Sequence, residues 1–223
     1  MIQTKLKCEN LKDVEYENIN NNKLYLFLKR VMDIVGSILG LIILAPIFLI
    51  LIICVKYDSK GPVFFSHKRL GYSGNPIRIY KFRTMVTNAE ELLNDLSVEQ
   101  KREFEENFKL ENDPRITKFG NLLRKSSLDE LPQLLNILKG ELSIVGPRPI
   151  VEKEIENYGV YGDKLLMVKP GLTGNWQANG RSDTTYEERV QMDMEYIDNR
   201  NIWMDIKIIF KTFTAVIKKQ GAR

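Results

Sequence analysis

Asp129 and Glu130 stand side by side within residues 124–149, RKSSLDELPQLLNILKGELSIVGPRP. Cations flank them: Arg124 and Lys125 just before, and Arg148 after, held between Pro147 and Pro149. A carboxylate pair can supply a nucleophile or a ligand for a hard cation, and guanidinium groups match phosphate oxygens. The combination suits phosphate chemistry. The same residues also have a purely structural reading. Ser127 and Glu130 fit the S-x-x-E capping box at a helix start. Leu131, Leu134, Leu135 and Leu138 then form one apolar stripe, with Pro132 in or before the first turn. In either register the two carboxylates are expected at a helix N-terminus, where amide dipoles favour negative charge. Catalysis and capping both stand at this point.

Other cations could serve the same chemistry. Lys81 and Arg83 share one face of an expected strand by alternation, either as ligands or as solvated edge charges. Arg181 follows Gly180 in a polar loop, which suits bidentate contact with phosphate. Composition narrows the alternatives. The one histidine, His67, leaves no Cys/His zinc site and no Ser-His-Asp triad. Of the two cysteines, Cys8 falls in the leading segment and Cys54 in an apolar run, so no structural disulfide is expected and a reduced, cytosol-facing protein is favoured. A net charge of +4 suits anionic lipids or phosphorylated substrates and is too weak to indicate nucleic acid. No P-loop, G-x-G-x-x-G or H-E-x-x-H motif occurs.

These residues need elements to hold them. The expected division is a flexible tail over 1–22, a membrane helix over 23–57 and a cytosolic domain over 58–223. Residues 34–55 carry no charge and are long enough to cross a bilayer. Pro46 lies near the middle, and lysines or arginines flank both ends: Lys23, Lys29 and Arg30 before, Lys56, Lys60, Lys68 and Arg69 after. A kinked span accounts for the proline; a helix that dips in and returns also accounts for positive charge at both ends. Asp33 is placed to pair with Arg30 at i,i+3. Residues 63–66 and 77–80 read as hairpin strands around LGYSGNP. Residues 88–110 suggest one or two exposed helices, and Pro114 a turn. Gly140 should end the helix after Asp129. SIVGPRPI reads as a short buried segment and a stiff turn, and residues 169–174 as another turn. Thr184 and Glu187 match a second capping box, before a helix over about 186–198. Trp203, Ile206, Ile209, Phe210, Phe213, Val216 and Ile217 form a helical apolar stripe beside Lys207, Lys211, Lys218 and Lys219. It fits a helix lying on an anionic membrane or one packed on the core.

Five ordered blocks, from LKRVMDIVGSILGLIILAPIFLI through GPVFFSHKRLGYSGNPIRIYKFRTM, NDPRITKFGNLLRKSSLDELPQLLNILKGELSIVGPRP and KPGLTGNWQANGR to WMDIKIIFKTF, resemble the bacterial polyprenyl-phosphate sugar-1-phosphate transferases, the small monotopic phosphoglycosyl transferases. The resemblance implies an α+β fold: a re-entrant membrane helix bent near Pro46, then a mostly helical cytosolic domain with a short β-hairpin and amphipathic interfacial helices. It implies transfer of a sugar-1-phosphate from a UDP-sugar to undecaprenyl phosphate at the inner membrane's cytosolic face, with release of UMP. Asp129 would be the nucleophile and the ligand of a Mg²⁺ ion, supported by Glu130. Arg124 and Arg181 would lie near the phosphates, with Arg148, Lys81 and Arg83 as further phosphate-binding candidates. Anionic lipids are expected partners, nucleic acid is not, and the oligomeric state is open, a homodimer included. Two positions depart from the usual pattern: Ala45 replaces a common serine before Pro46, and Lys169 a common arginine. A non-catalytic membrane-anchored module and a UDP-releasing glycosyltransferase are the rival readings.

Overall fold

The computed structural model describes residues 19–107, 110, 113–180 and 184–217. Its first element, α1, runs over Lys23–Asp58, a 36-residue helix longer than the uncharged run. Asn22 caps it, its side chain accepting from the amides of Leu24 and Tyr25. The helix continues through Pro46. Among the described residues, this is the one helix long and apolar enough to cross a membrane.

The soluble part begins with β1 (Phe64–Leu70) and β2 (Pro76–Phe82), an antiparallel hairpin with longer strands than the sequence suggested. Then come α2 (Ala89–Asn94), α3 (Val98–Asn107) and α4 (Lys118–Ser126), followed by a 3-10 turn over Leu128–Glu130 and α5 (Gln133–Lys139). Gly140, at φ 80°, ends α5 as expected of a residue without a Cβ. The chain continues with β3 (Ser143–Val145), a 3-10 segment (Glu152–Tyr161), α6 (Gly162–Leu166), β4 (Gly171–Thr173), α7 (Asn175–Asn179), α8 (Tyr186–Asn199) and α9 (Ile202–Ile217). The fold is α+β and mostly helical. One sheet escaped the sequence reading: SIV and GLT, read as a buried segment and a turn, pair as parallel strands. Three-residue strands carry too short a pattern to register as alternation.

Three apolar clusters hold the parts together. Val145, Tyr158, Leu165, Tyr196, Ile197 and Ile208 gather around α8. Leu51 and Val55 of α1 pack with Phe82 and Leu123. Ile79, Leu134, Ile137 and Leu142 join the hairpin to α5. Each such side chain contributes about 1.5–3 kcal/mol by leaving water.

Both ends of α1 rest on this same domain. Near its start, Lys29 donates to Asp205 Oδ2 at 2.9 Å and to Tyr196 Oη at 3.1 Å. The expected Arg30–Asp33 pair does not form. Arg30 donates to the carbonyls of Ile137 and Leu138 at the end of α5, and Asp33 accepts from Ser143 Oγ and the Ile144 amide. Each side chain finds a partner that needs it more, a carbonyl or amide left free at an element's end. Gly36 and Gly40 let α1 close on Ile144 and Leu134; a Cβ would lie 2.7 Å from Ile144 Cδ1 and 3.2 Å from Leu134 Cδ1. The opposite face of α1 is a continuous apolar band, with Ile42 66% and Ile43 70% exposed.

α9 combines the two alternatives held open for it. Asp205, Ile208 and Ala215 face inward, while Trp203, Phe210 and Phe213 stand exposed. The capping box before α8 is one residue later than expected: Thr185 accepts from the Glu188 amide, and Glu188 accepts from the Thr185 amide.

Candidate functional site

Asp129 and Glu130 sit on the 3-10 turn between α4 and α5. The expected capping box is absent. Ser127 lies in the left-handed region at φ 57°, where it ends α4, and its side chain caps nothing. Helix α5 starts only at Gln133, after Pro132. Proline has no amide proton to cap, so the helix can begin there with no need of Glu130. The carboxylates are released from capping and turned toward the hairpin.

Lys81 on β2 meets them. Its Nζ lies 2.6 Å from Glu130 Oε1 and 3.8 Å from Asp129 Oδ2. Asp129 is buried, with 6% of its surface exposed. Burial is the main reason its carboxyl is pushed up to about 6; Glu130 adds to that, while Lys81 and Arg124 oppose it. Arg124, on the last turn of α4, donates from Nε to Thr84 Oγ1 at 2.9 Å. Gly120 permits this packing, since a Cβ there would lie 2.1 Å from the Thr84 carbonyl oxygen. Burial lowers the Arg124 pKa, and the charges of Asp129 and Asp113 raise it. Asp113 is held bidentately by Arg115, at 2.8 and 2.7 Å.

Arg148 arrives on the loop after β3. The loop is pinned twice: the Gly171 amide donates to the Pro147 carbonyl at 2.8 Å, and the Leu70 amide to the Ile150 carbonyl at 2.8 Å. Gly171 makes the close pairing of β3 and β4 feasible; its Cβ would lie 2.1 Å from the Gly146 amide nitrogen. The second bond ties the loop to the end of β1 and brings Arg148 beside Arg69, whose positive charges act on each other.

The predicted residues therefore divide. Asp129, Glu130, Lys81 and Arg124 converge, and Arg148 borders them through Arg69, which feels the charge of Glu130. Arg83 goes elsewhere: its Nη2 donates to the Ser59 carbonyl at 2.6 Å and the Val55 carbonyl at 3.4 Å, at the end of α1. The shared strand face ends with β2 at Phe82, one residue before it. Arg181 lies outside the described residues. Sequence reasoning missed Arg69. The hairpin register was the available signal, because Phe65 pairs with Lys81 and His67 and Arg69 follow on that face.

Asp129 and Glu130 are adjacent hard oxygen donors, and among the described residues no group of three His, Cys, Asp or Glu side chains converges. This donor set fits Mg²⁺, which commonly takes one or two carboxylates and completes its shell with phosphates and water.

Known proteins resemble this sequence along most of its length. The family described as bacterial sugar transferase matches residues 24–219. The undecaprenyl-phosphate galactose phosphotransferase of Salmonella typhimurium is 49% identical over 199 residues, covering 88% of this chain and 42% of that protein. The UDP-galactose-lipid carrier transferase of Erwinia amylovora is 46% identical, covering 88% and 42%. The exopolysaccharide production protein ExoY of Sinorhizobium fredii is 45% identical over 197 residues and 87% of each chain. The chain thus spans under half the length of the first two and most of the third. The family match takes in α1, the carboxylate turn and α9 alike, and this chain belongs to the bacterial sugar transferase family.

Proposed function

We propose that this protein transfers a sugar-1-phosphate from a UDP-sugar to undecaprenyl phosphate, with Asp129 as the covalent nucleophile and UMP as the released product. One observation carries the reading: a buried carboxylate with only a 3.8 Å contact to its nearest ammonium stands where Lys81 and Arg124 gather from separate elements. The names of the relatives supply the substrate classes, a UDP-sugar and a polyprenyl phosphate.

In the first step an Asp129 oxygen bonds to the β-phosphorus as the bridging P–O bond breaks and UMP leaves. In the second, a lipid phosphate oxygen attacks the same phosphorus and Asp129 departs as a carboxylate. Both steps bring anions together, so cations must offset the repulsion. Lys81 holds Glu130 and faces Asp129, which keeps the pair from repelling one another out of position. Arg124 adds positive charge from the other side. Mg²⁺, held by Asp129 with Glu130 beside it, would neutralise diphosphate charge when bound.

The site works at a membrane. Helix α1 would measure about 54 Å at 1.5 Å per residue, yet both its ends pack on one domain. A helix crossing from face to face would carry one end about 30 Å away from that domain. The contacts support a re-entrant placement, with the apolar band of α1 and the exposed aromatics of α9 in lipid and the catalytic domain on the cytosolic face of the inner membrane.

The test is nucleotide release by the full chain in nanodiscs containing undecaprenyl phosphate, across a panel of UDP-sugars. UMP is expected with at least one donor; UDP as product would establish the rival glycosyltransferase, and no release with any donor would favour a non-catalytic module. Single cysteines at Lys23 and Lys60 should both label from the cytosolic side. Labelling of either from the periplasm would reject re-entry.

A further inference from the structure

Arg69 has no part in the roles assigned above, and its surroundings do not satisfy it. Its Nη1 is buried and lacks a hydrogen-bond partner. The nearest carboxylate oxygen to that atom, Glu154 Oε2, is 3.7 Å away, beyond hydrogen-bond distance. Its neighbour Arg148 makes no hydrogen bond or ion pair with any described residue. The two guanidinium groups are close enough to act unfavourably on each other, and the Leu70–Ile150 backbone bond holds their segments together. An arginine with a buried nitrogen short of an acceptor, beside a half-exposed second arginine, forms a fork for an anion that would supply the missing acceptor and screen the repulsion.

We propose that Arg69 and Arg148 together bind a phosphoryl group of a substrate, making Arg69 a second-strand contribution to the site from β1. The assignment rests on the function proposed above for the identity of the substrate, though not for the existence of the anion site. Two sources carry this chemistry: the diphosphate of the nucleotide donor and the monophosphate of the lipid acceptor. Arg69 reaches the site through the same hairpin that carries Lys81, and Glu130 lies within its electrostatic range. An anion seated there would lie on the hairpin face that carries Lys81. Glu154 plays the opposite part: it approaches Arg69 without a hydrogen bond and competes with the incoming anion for it.

The experiment measures binding of UMP, and separately of inorganic pyrophosphate, to the full-length protein in nanodiscs by calorimetry, with steady-state KM values for donor and acceptor. Arg69→Met is expected to weaken binding of at least one anion by about tenfold to a hundredfold, the worth of a charge-assisted hydrogen bond or two. Arg69→Lys should recover part of it, and Glu154→Gln should bind at least as tightly as the parent. A raised KM for the donor alone assigns the anion to the nucleotide; a raised KM for the lipid alone assigns it to the acceptor. Unchanged affinities and KM values in Arg69→Met, with a melting temperature showing the fold intact, would overturn the proposal. So would equal losses in Arg69→Met and Glu154→Gln, because they would make the pair a structural ion bridge. Pyrophosphate binding that needs Arg69 in a protein releasing no UMP would leave the anion site standing and reject the transferase reading alone.

Discussion

Two buried ionic clusters in this molecule are built from similar parts and satisfied very differently. At the base of α1, Lys29 and Asp205 meet at 2.9 Å, with Tyr25 Oη 3.2 Å from Asp205 Oδ2 and Tyr196 Oη donating to Oδ1 at 2.7 Å. Each oxygen of Asp205 is engaged, and the residue is wholly buried. At the hairpin, Asp129 is nearly as buried, but beyond its own backbone amide it has cations only at a distance, the Lys81 ammonium at 3.8 Å and Arg124, and its carboxyl is pushed up to about 6. The first cluster is complete and anchors a helix. In the second, the ammonium nearest Asp129 stands off at 3.8 Å, and burial outweighs the cations in setting its titration. A buried carboxylate with a raised pKa is not by itself a site, however. Asp193 has an unpartnered Oδ1 and is pushed by burial to about 7, yet it lies in the apolar core with Tyr158 as its one donor. What sets Asp129 apart is the convergence of cations from separate elements.

The sharpest way to break the comparison is to neutralise each carboxylate. Asp129→Asn should abolish transfer, by at least about 10³-fold for a lost nucleophile, while raising stability. The sign follows from the direction of the shift. A carboxyl raised from 3.8 to about 6 penalises the folded state when ionised, so the parent loses stability as pH rises through that window. The variant should therefore equal the parent near pH 4 and exceed it above pH 6. The ceiling is about 3 kcal/mol at 1.36 kcal/mol per pH unit. Denaturant titrations with EDTA at several pH values would measure it. Lower stability of the variant at pH 7 would contradict the reading of a charge penalised by burial.

Asp205→Ala should do the reverse. It leaves the Lys29 ammonium buried with only the Tyr196 hydroxyl, at a cost of about 3–5 kcal/mol. Replacing both partners, Lys29→Met with Asp205→Leu, should recover much of that loss, because a buried pair and a packed apolar pair are close in energy. Full recovery of UMP release in the double variant would mark the cluster as structural. A stable double variant without activity would give the anchor a catalytic part.

Smaller effects should come from the close backbone contacts. Gly120→Ala places a methyl 2.1 Å from the Thr84 carbonyl oxygen, so α4 must shift and carry Arg124 with it. A loss of about 1–3 kcal/mol is expected, typical of forced repacking, with reduced kcat. Unchanged kcat would detach Arg124 from the reaction.

Much of this was legible along the chain. The long apolar helix, the hairpin, the end of α5 at Gly140 and the amphipathic character of α9 all follow from composition, periodicity and turn residues acting over a few positions. The gathering of charge around Asp129 and Glu130 was legible too, through residue type and neighbouring cations. Local rules misled where a distant group had the stronger claim. Glu130 matched a capping box and is bound by Lys81, 49 positions away. Arg30 and Asp33 matched a helix pair and instead serve carbonyls and an amide more than 100 positions distant. Arg69, written among flanking charges, became a candidate site residue only through the register of the hairpin and one backbone bond to Ile150. Sequence determined which segments fold and which residue types could act, because those depend on short-range pattern. Tertiary structure decided which charges are satisfied and which are left waiting, because burial and pairing depend on groups that meet only after the chain has closed on itself.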